Sequence, residues 1–81
     1  MNERANILIV DDEEVVRLSH LRSLEGADCN ARTAGDGNEA LNAMEQHPFD
    51  VVMLDLRMPG LDGLEVLRTI KQRWPDSEVI V

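Results

Sequence analysis

Ile7-Leu8-Ile9-Val10-Asp11-Asp12-Glu13-Glu14 is the stretch on which the fold turns. Its first half is an unbroken run of β-branched residues and leucine, with no polar residue at alternate positions. Such a run suits a strand buried on both faces, as in a parallel sheet. Its second half puts acidic residues at the start of a helix, where the positive end of the helix dipole favours them. Val15, Leu18, Leu21 and Leu24 then recur every third residue, with Val16 beside them. This pattern predicts a helix with one apolar face, stopped near Gly26.

Outward from this unit the same alternation repeats. Cys29 to Ala34 reads as a weaker, edge-type strand, with Cys29, Ala31 and Thr33 alternating against Asn30 and Arg32. Gly35-Asp36-Gly37 is turn chemistry. Ala40, Leu41, Ala43 and Met44 predict a short helix that ends at His47-Pro48, because the residue before proline avoids helical angles. Val51-Val52-Met53-Leu54 is a second fully apolar strand, and Asp55 to Asp62 is a loop holding Pro59-Gly60. Asp62 is a candidate N-cap for a third helix bearing Leu64, Leu67, Ile70 and Trp74 on one side with Val66 beside them, ended by Pro75. Val79-Ile80-Val81 opens a further strand. The order β-α-β-α-β-α-β means βαβ units, hence an α/β fold: a doubly wound, mostly parallel sheet with helices on both faces.

The 81 residues are 43% hydrophobic and 30% charged, a globular composition that suits one small domain. Eight Lys and Arg against sixteen Asp and Glu give a net charge of -8. Without a basic stripe, direct nucleic-acid binding by this chain is disfavoured. The single cysteine, Cys29, excludes an internal disulfide and fits a reducing, cytoplasmic setting. The apolar runs are far too short to span a membrane, and no signal peptide is expected.

Ligands of an open parallel sheet bind at the carboxyl ends of its strands, where strand order reverses. Asp11 and Asp12 follow the first strand and Asp55 follows the third. In the common order 2-1-3-4-5 those two strands are neighbours, about 4.8 Å apart. Three carboxylates so close repel one another and call for a cation. Oxygen-only ligands point to a hard ion such as Mg²⁺, the usual companion of phosphate chemistry. A carboxylate can itself attack phosphorus. These residues alone therefore lead to a Mg²⁺-assisted phosphoryl site with one Asp as candidate acceptor.

Ile7 to Glu14, taken with Val52-Met53-Leu54-Asp55-Leu56-Arg57-Met58-Pro59-Gly60-Leu61-Asp62-Gly63, closely resembles the receiver domain of two-component response regulators. The strand order used above is also that of chemotaxis receivers of this family, so it follows partly from the resemblance. The resemblance spans the chain and implies a flavodoxin-like receiver fold over residues 1–81. It implies a phosphorelay signalling module and not a turnover enzyme. Asp55 would be the phosphoacceptor, charged by a histidine kinase, a phosphotransfer protein or a small phosphodonor. Asp12 would bind Mg²⁺ directly, Asp11 directly or through water, Asp55 from the same pocket, and Arg57 through its backbone carbonyl. Pro59 and Gly60 would bring the loop backbone toward the ion, and Gly63 would begin the third helix in close packing.

The family has five βα units, with Ser or Thr after the fourth strand and Lys after the fifth. This chain stops within the fourth strand, its only lysine is Lys71 in the third helix, and Thr33 and Ser77 fit neither role. The expectation is thus an incomplete receiver, its C-terminal part missing, with slow phosphorylation uncoupled from any switch. Exposed apolar surface and a raw strand edge predict self-association as a dimer or by segment exchange. Two other readings stay open. A haloacid-dehalogenase-type aspartyl-phosphate phosphohydrolase would need a second Asp where Arg57 stands, and a docking-only receiver fold would not use the acidic triad. On blander readings Asp11 and Asp12 merely cap a helix, His20 and His47 are exposed non-ligands, and the methionines Met44, Met53 and Met58 pack in core or loop.

Overall fold

The computed structural model describes residues 4–57 and 63–81. Four strands and three helices alternate along the chain: β1 (Ala5–Val10), α1 (Glu14–Ser23), β2 (Cys29–Ala34), α2 (Gly37–Gln46), β3 (Val51–Leu54), α3 (Gly63–Arg73) and β4 (Glu78–Ile80). The strands form one parallel sheet in the order β2-β1-β3-β4, flanked by helices. The apolar β1 and β3 lie inside, and the polar β2 lies at an edge. The expected parallel arrangement is present, with the first and third strands adjacent.

The two faces of the sheet are packed differently. Leu8, Val10, Ala34, Val52 and Leu54 join Ala40, Met44, Phe49, Val66 and Ile70 in one buried cluster under α2 and α3. On the other face, Ile9 is buried beside α1, while Met53 and Ile80 line a groove next to Val16 and His20. β3 is accordingly buried at alternate residues, Val52 and Leu54, and not at all four as its apolar run suggested.

α1 departs most from expectation, having no fully buried residue. Val15 is 78% exposed and Leu18 47%, while Val16, Arg17, His20, Leu21 and Leu24 are half-buried. The reason is geometric. At 3.6 residues per turn, a series spaced by three slips about 60° with each step. Val15, Leu18, Leu21 and Leu24 therefore wind around the helix, so that Val15 and Leu18 point to solvent while Leu21 and Leu24 reach the sheet-facing side. The same slip turns Leu64 outward on α3, whose buried contacts come from Val66 and Ile70, spaced by four. His20 and His47, expected to be exposed, are both half-buried; His47 meets Phe49 edge-on at 6.5 Å between ring centroids.

Local chemistry closes the elements. Asp36 caps α2 by accepting a hydrogen bond from the Glu39 backbone N–H at 2.8 Å, so the Gly-Asp-Gly turn is also a helix start. Gly26, after α1, has φ of 84°, a left-handed conformation that suits glycine. The proposed cap Asp62 and the loop residues Met58, Pro59 and Gly60 lie outside the described residues.

Leu8→Ala, in the dry cluster, is expected to lower stability by about 2–5 kcal/mol. Leu18→Ala, on the outer side of α1, should stay within about 0.5 kcal/mol of the parent. Urea unfolding of the two variants checks the contrast; equal losses would contradict the assigned faces.

Candidate functional site

The register of β1 and β3 builds the site. Val10 pairs with Leu54, so Asp11 and Asp55 leave the sheet side by side at its carboxyl rim. The ladder runs one residue past each strand: the Asp55 N–H donates to the Val10 carbonyl at 3.0 Å, and the Asp11 N–H to the Ala34 carbonyl at 3.1 Å. Both aspartates are thus set by backbone hydrogen bonds. Asp12, next along, is exposed. Carboxylate oxygens of Asp11, Asp12 and Asp55 all lie within 4.8 Å of one another. The three acidic residues singled out in the sequence are brought together at one point.

Each strand-end aspartate also ties down the chain that follows it. Asp11 Oδ1 accepts from the Glu13 backbone N–H at 2.9 Å, and Asp55 Oδ1 accepts from the Arg57 backbone N–H at 2.9 Å. These are local turns in which an Asp side chain holds the backbone two residues on. They answer the capping question, since the N-cap of α1 is Glu13 and makes no side-chain cap bond. The Arg57 side chain is 94% exposed, with Nε 3.9 Å from Asp55 Oδ1, so it is a weak, solvent-screened partner.

The start of α3 is pressed onto the same loop. A β-carbon added to Gly63 would stand 2.5 Å from the Leu56 Cα, so only glycine fits there. Gly63 holds the closely packed helix start that the sequence suggested.

Sequence reasoning overlooked one participant. Arg17 Nη1 donates to the Asp11 backbone carbonyl at 2.6 Å in a half-buried contact. The available signal was an arginine inside the sector of α1 that faces the sheet.

Chemically the site is an all-oxygen cluster of negative charge, half-buried at two of its three members. Its donor set fits a small, hard divalent cation, and nothing in it favours a soft metal. Among the described residues, no helix is long and apolar enough to cross a membrane.

The family model described as Response regulator receiver domain matches residues 7–81. The DNA-binding transcriptional regulator NtrC of Salmonella typhimurium is 42% identical over 79 residues, which cover 98% of this chain and 17% of that protein. Response regulator MprA of Mycolicibacterium vanbaalenii is 43% identical over 75 residues, covering 93% of this chain and 32% of the relative. The chain thus spans a minor part of the length of these curated relatives. Among solved structures, response regulator TrrA of Thermotoga maritima in complex with Mg(2+)-BeF superposes with a TM-score of 0.89 at 36% identity, covering 95% of this chain and 67% of that one. TrrA in complex with the histidine kinase ThkA gives a TM-score of 0.85 at 36% identity, over 93% of this chain and 65% of that one.

Clustered like charges make a prediction that needs no ligand. In metal-free, low-salt buffer, Asp12→Asn should raise stability, by roughly 0.5–1 kcal/mol, through relief of repulsion. The gain should shrink as salt screens the cluster. Thermal or urea unfolding across a salt series reads this; a destabilised Asp12→Asn at low salt would argue against mutual repulsion.

Proposed function

The chain belongs to the response regulator receiver family, and from that premise we propose that it is a phosphoacceptor whose acidic cluster takes up Mg²⁺ and whose Asp55 receives the phosphoryl group. The observation that carries this reading is the convergence of Asp11, Asp12 and Asp55 to within 4.8 Å at the carboxyl rim of the sheet. Receiver domains are signalling modules, and we read residues 1–81 as one such unit.

Asp11, Asp12 and Asp55 would hold the ion through carboxylate oxygens, and Arg57 through its backbone carbonyl. When bound, Mg²⁺ supplies positive charge to the phosphoryl oxygens, the kind of stabilisation on which phosphoryl transfer chiefly depends. The remaining work falls to the chain. The Asp55 carboxylate, oriented by the Arg57 N–H on Oδ1, forms a P–O bond as the donor's P–N bond breaks. The departing imidazole of a phosphohistidine keeps the bond electrons and takes up a proton. The donor would be a histidine kinase or a phosphotransfer protein, in a cytoplasmic setting, with small phosphodonors as substitutes. Lys71, the chain's only lysine, sits exposed in the last turn of α3, while the first residue of that helix, Gly63, packs against Leu56 just past the carboxyl end of β3. Labelling of this chain should therefore be slow.

Beryllofluoride, a phosphoryl mimic, should bind with Mg²⁺ and shift the backbone amide resonances of Asp55 to Arg57. Asp55→Asn should abolish that shift, and a small phosphodonor should add one phosphoryl mass to the parent only. Failure of the parent to bind the mimic, with Mg²⁺ binding intact, would leave a docking role in place of phosphoacceptance.

The exposed Val15, Leu18, Ile80 and Val81 support self-association of the 81-residue chain. Its net charge of -8 opposes this, so added salt should promote it. Sedimentation velocity over a range of protein and salt concentrations is expected to show species larger than monomer; a monomer throughout would refute the expectation.

A further inference from the structure

We propose that Arg17 is a positioning residue for the acidic cluster, acting through the backbone of Asp11. This inference rests on the Mg²⁺-binding reading above and adds to it a residue that touches neither the ion nor the phosphoryl group.

Three hydrogen bonds fix Asp11. Its N–H donates to the Ala34 carbonyl, its Oδ1 accepts from the Glu13 N–H, and its carbonyl accepts from Arg17 Nη1 at 2.6 Å. The first two belong to the sheet end and a local turn. The third comes from a side chain at the end of the first turn of α1 and joins the helix to the loop before it. A charge-assisted bond of this length is among the stronger a protein makes. Asp12 hangs from the segment so held, and its placement beside Asp11 and Asp55 depends on the path of that segment.

The far side of the guanidinium has a prepared seat. A β-carbon at Gly35 would lie 3.3 Å from Arg17 Nη1 and 3.6 Å from its Cζ. Gly35 does not have positive φ, so what a side chain there would meet is the guanidinium, at a distance tighter than ordinary van der Waals contact, and not a backbone restriction. Glu39 Oε2 accepts from the Gly35 N–H at 3.1 Å, holding this wall in place. Arg17 thereby braces the β1–α1 loop against the β2–α2 turn. Among the described residues no carboxylate lies within 4.0 Å ion-pairing distance of Arg17, so its donor is committed to the Asp11 carbonyl.

Two roles for this cation predict opposite signs. As a mere nearby charge, Arg17 competes with Mg²⁺, and its removal should tighten binding. As a brace, it preorganises the carboxylates, and its removal should weaken binding. Groups that orient metal ligands typically change affinity by about 10–100-fold when lost. Calorimetric Mg²⁺ titration of Arg17→Met, which keeps much of the aliphatic stem, should show at least about a tenfold rise in Kd. Arg17→Lys should recover part of the loss. Gly35→Ala, which alters no charge, should weaken binding in the same direction. Equal or tighter binding by folded Arg17→Met overturns the proposal. Should that variant fail to fold, Gly35→Ala and NMR of the parent decide: slowed guanidinium exchange at Arg17 supports the brace, and exchange as free as that of exposed Arg57 overturns it. A parent with no Mg²⁺ affinity would overturn the reading of the site, while the guanidinium measurement would still judge the brace separately.

Discussion

Parallel pairing of β1 with β3 is the constraint from which the site follows. Once Val10 stands opposite Leu54, the next residues of both strands must emerge together. Both are aspartates, and Asp12 adds a third carboxylate. At separations near 5 Å each like-charged pair repels by about 1 kcal/mol in bulk water, and by a few kcal/mol at the lower effective dielectric of a half-buried site. A small domain has a total stability of only about 5–15 kcal/mol. The cluster is thus a standing cost carried by the packing of the sheet, a cost that a bound divalent ion would turn into attraction.

That packing is one-sided. α2 and α3 seal one face with fully buried Leu8, Val52, Val66 and Ile70. The α1 face holds Ile9 but otherwise only half-buried contacts, and its groove runs up to Asp11 and Asp55 at the rim. The rigid face fixes the strands, and the strands fix the two strand-end aspartates through backbone bonds. α1 has less apolar contact to hold it in place. Its link to the site through the Arg17–Asp11 bond therefore matters more than it would for a helix sunk in a core.

Much of this was legible in the residues. Ile7 to Val10 and Val51 to Leu54 announced buried strands because no polar residue interrupts them. The acidic triad announced itself because carboxylates just past such strands must share one rim. The helix faces were harder to read. A spacing of three looks periodic on paper, yet it drifts around a helix with 3.6 residues per turn, and this misassigned Val15, Leu18 and Leu64. Asp36 passed as a turn residue because cap and turn draw on the same chemistry. Arg17 was missed because a charged residue on the inward side of a helix reads as surface until its partner, a backbone carbonyl, is located in space. Backbone partners leave no trace in residue types.

The same distinction orders the positions of the site by how much their residue type is constrained. Glu13 and Arg57 meet the aspartates through backbone N–H groups, so their side chains are free to vary. Gly63 is bound to its type by volume, since a β-carbon would strike the Leu56 backbone, while a β-carbon at Gly35 would crowd the Arg17 guanidinium. Arg17 is bound by reach and geometry, since its fork must span from helix to loop while filling the seat beside Gly35. Lysine carries the same charge but lacks that planar fork. The carboxylates are bound by charge itself. A site of this kind is specified by a few side chains that neutralise, brace or leave room, set on a ladder of backbone bonds that any sequence with the same strand register would form.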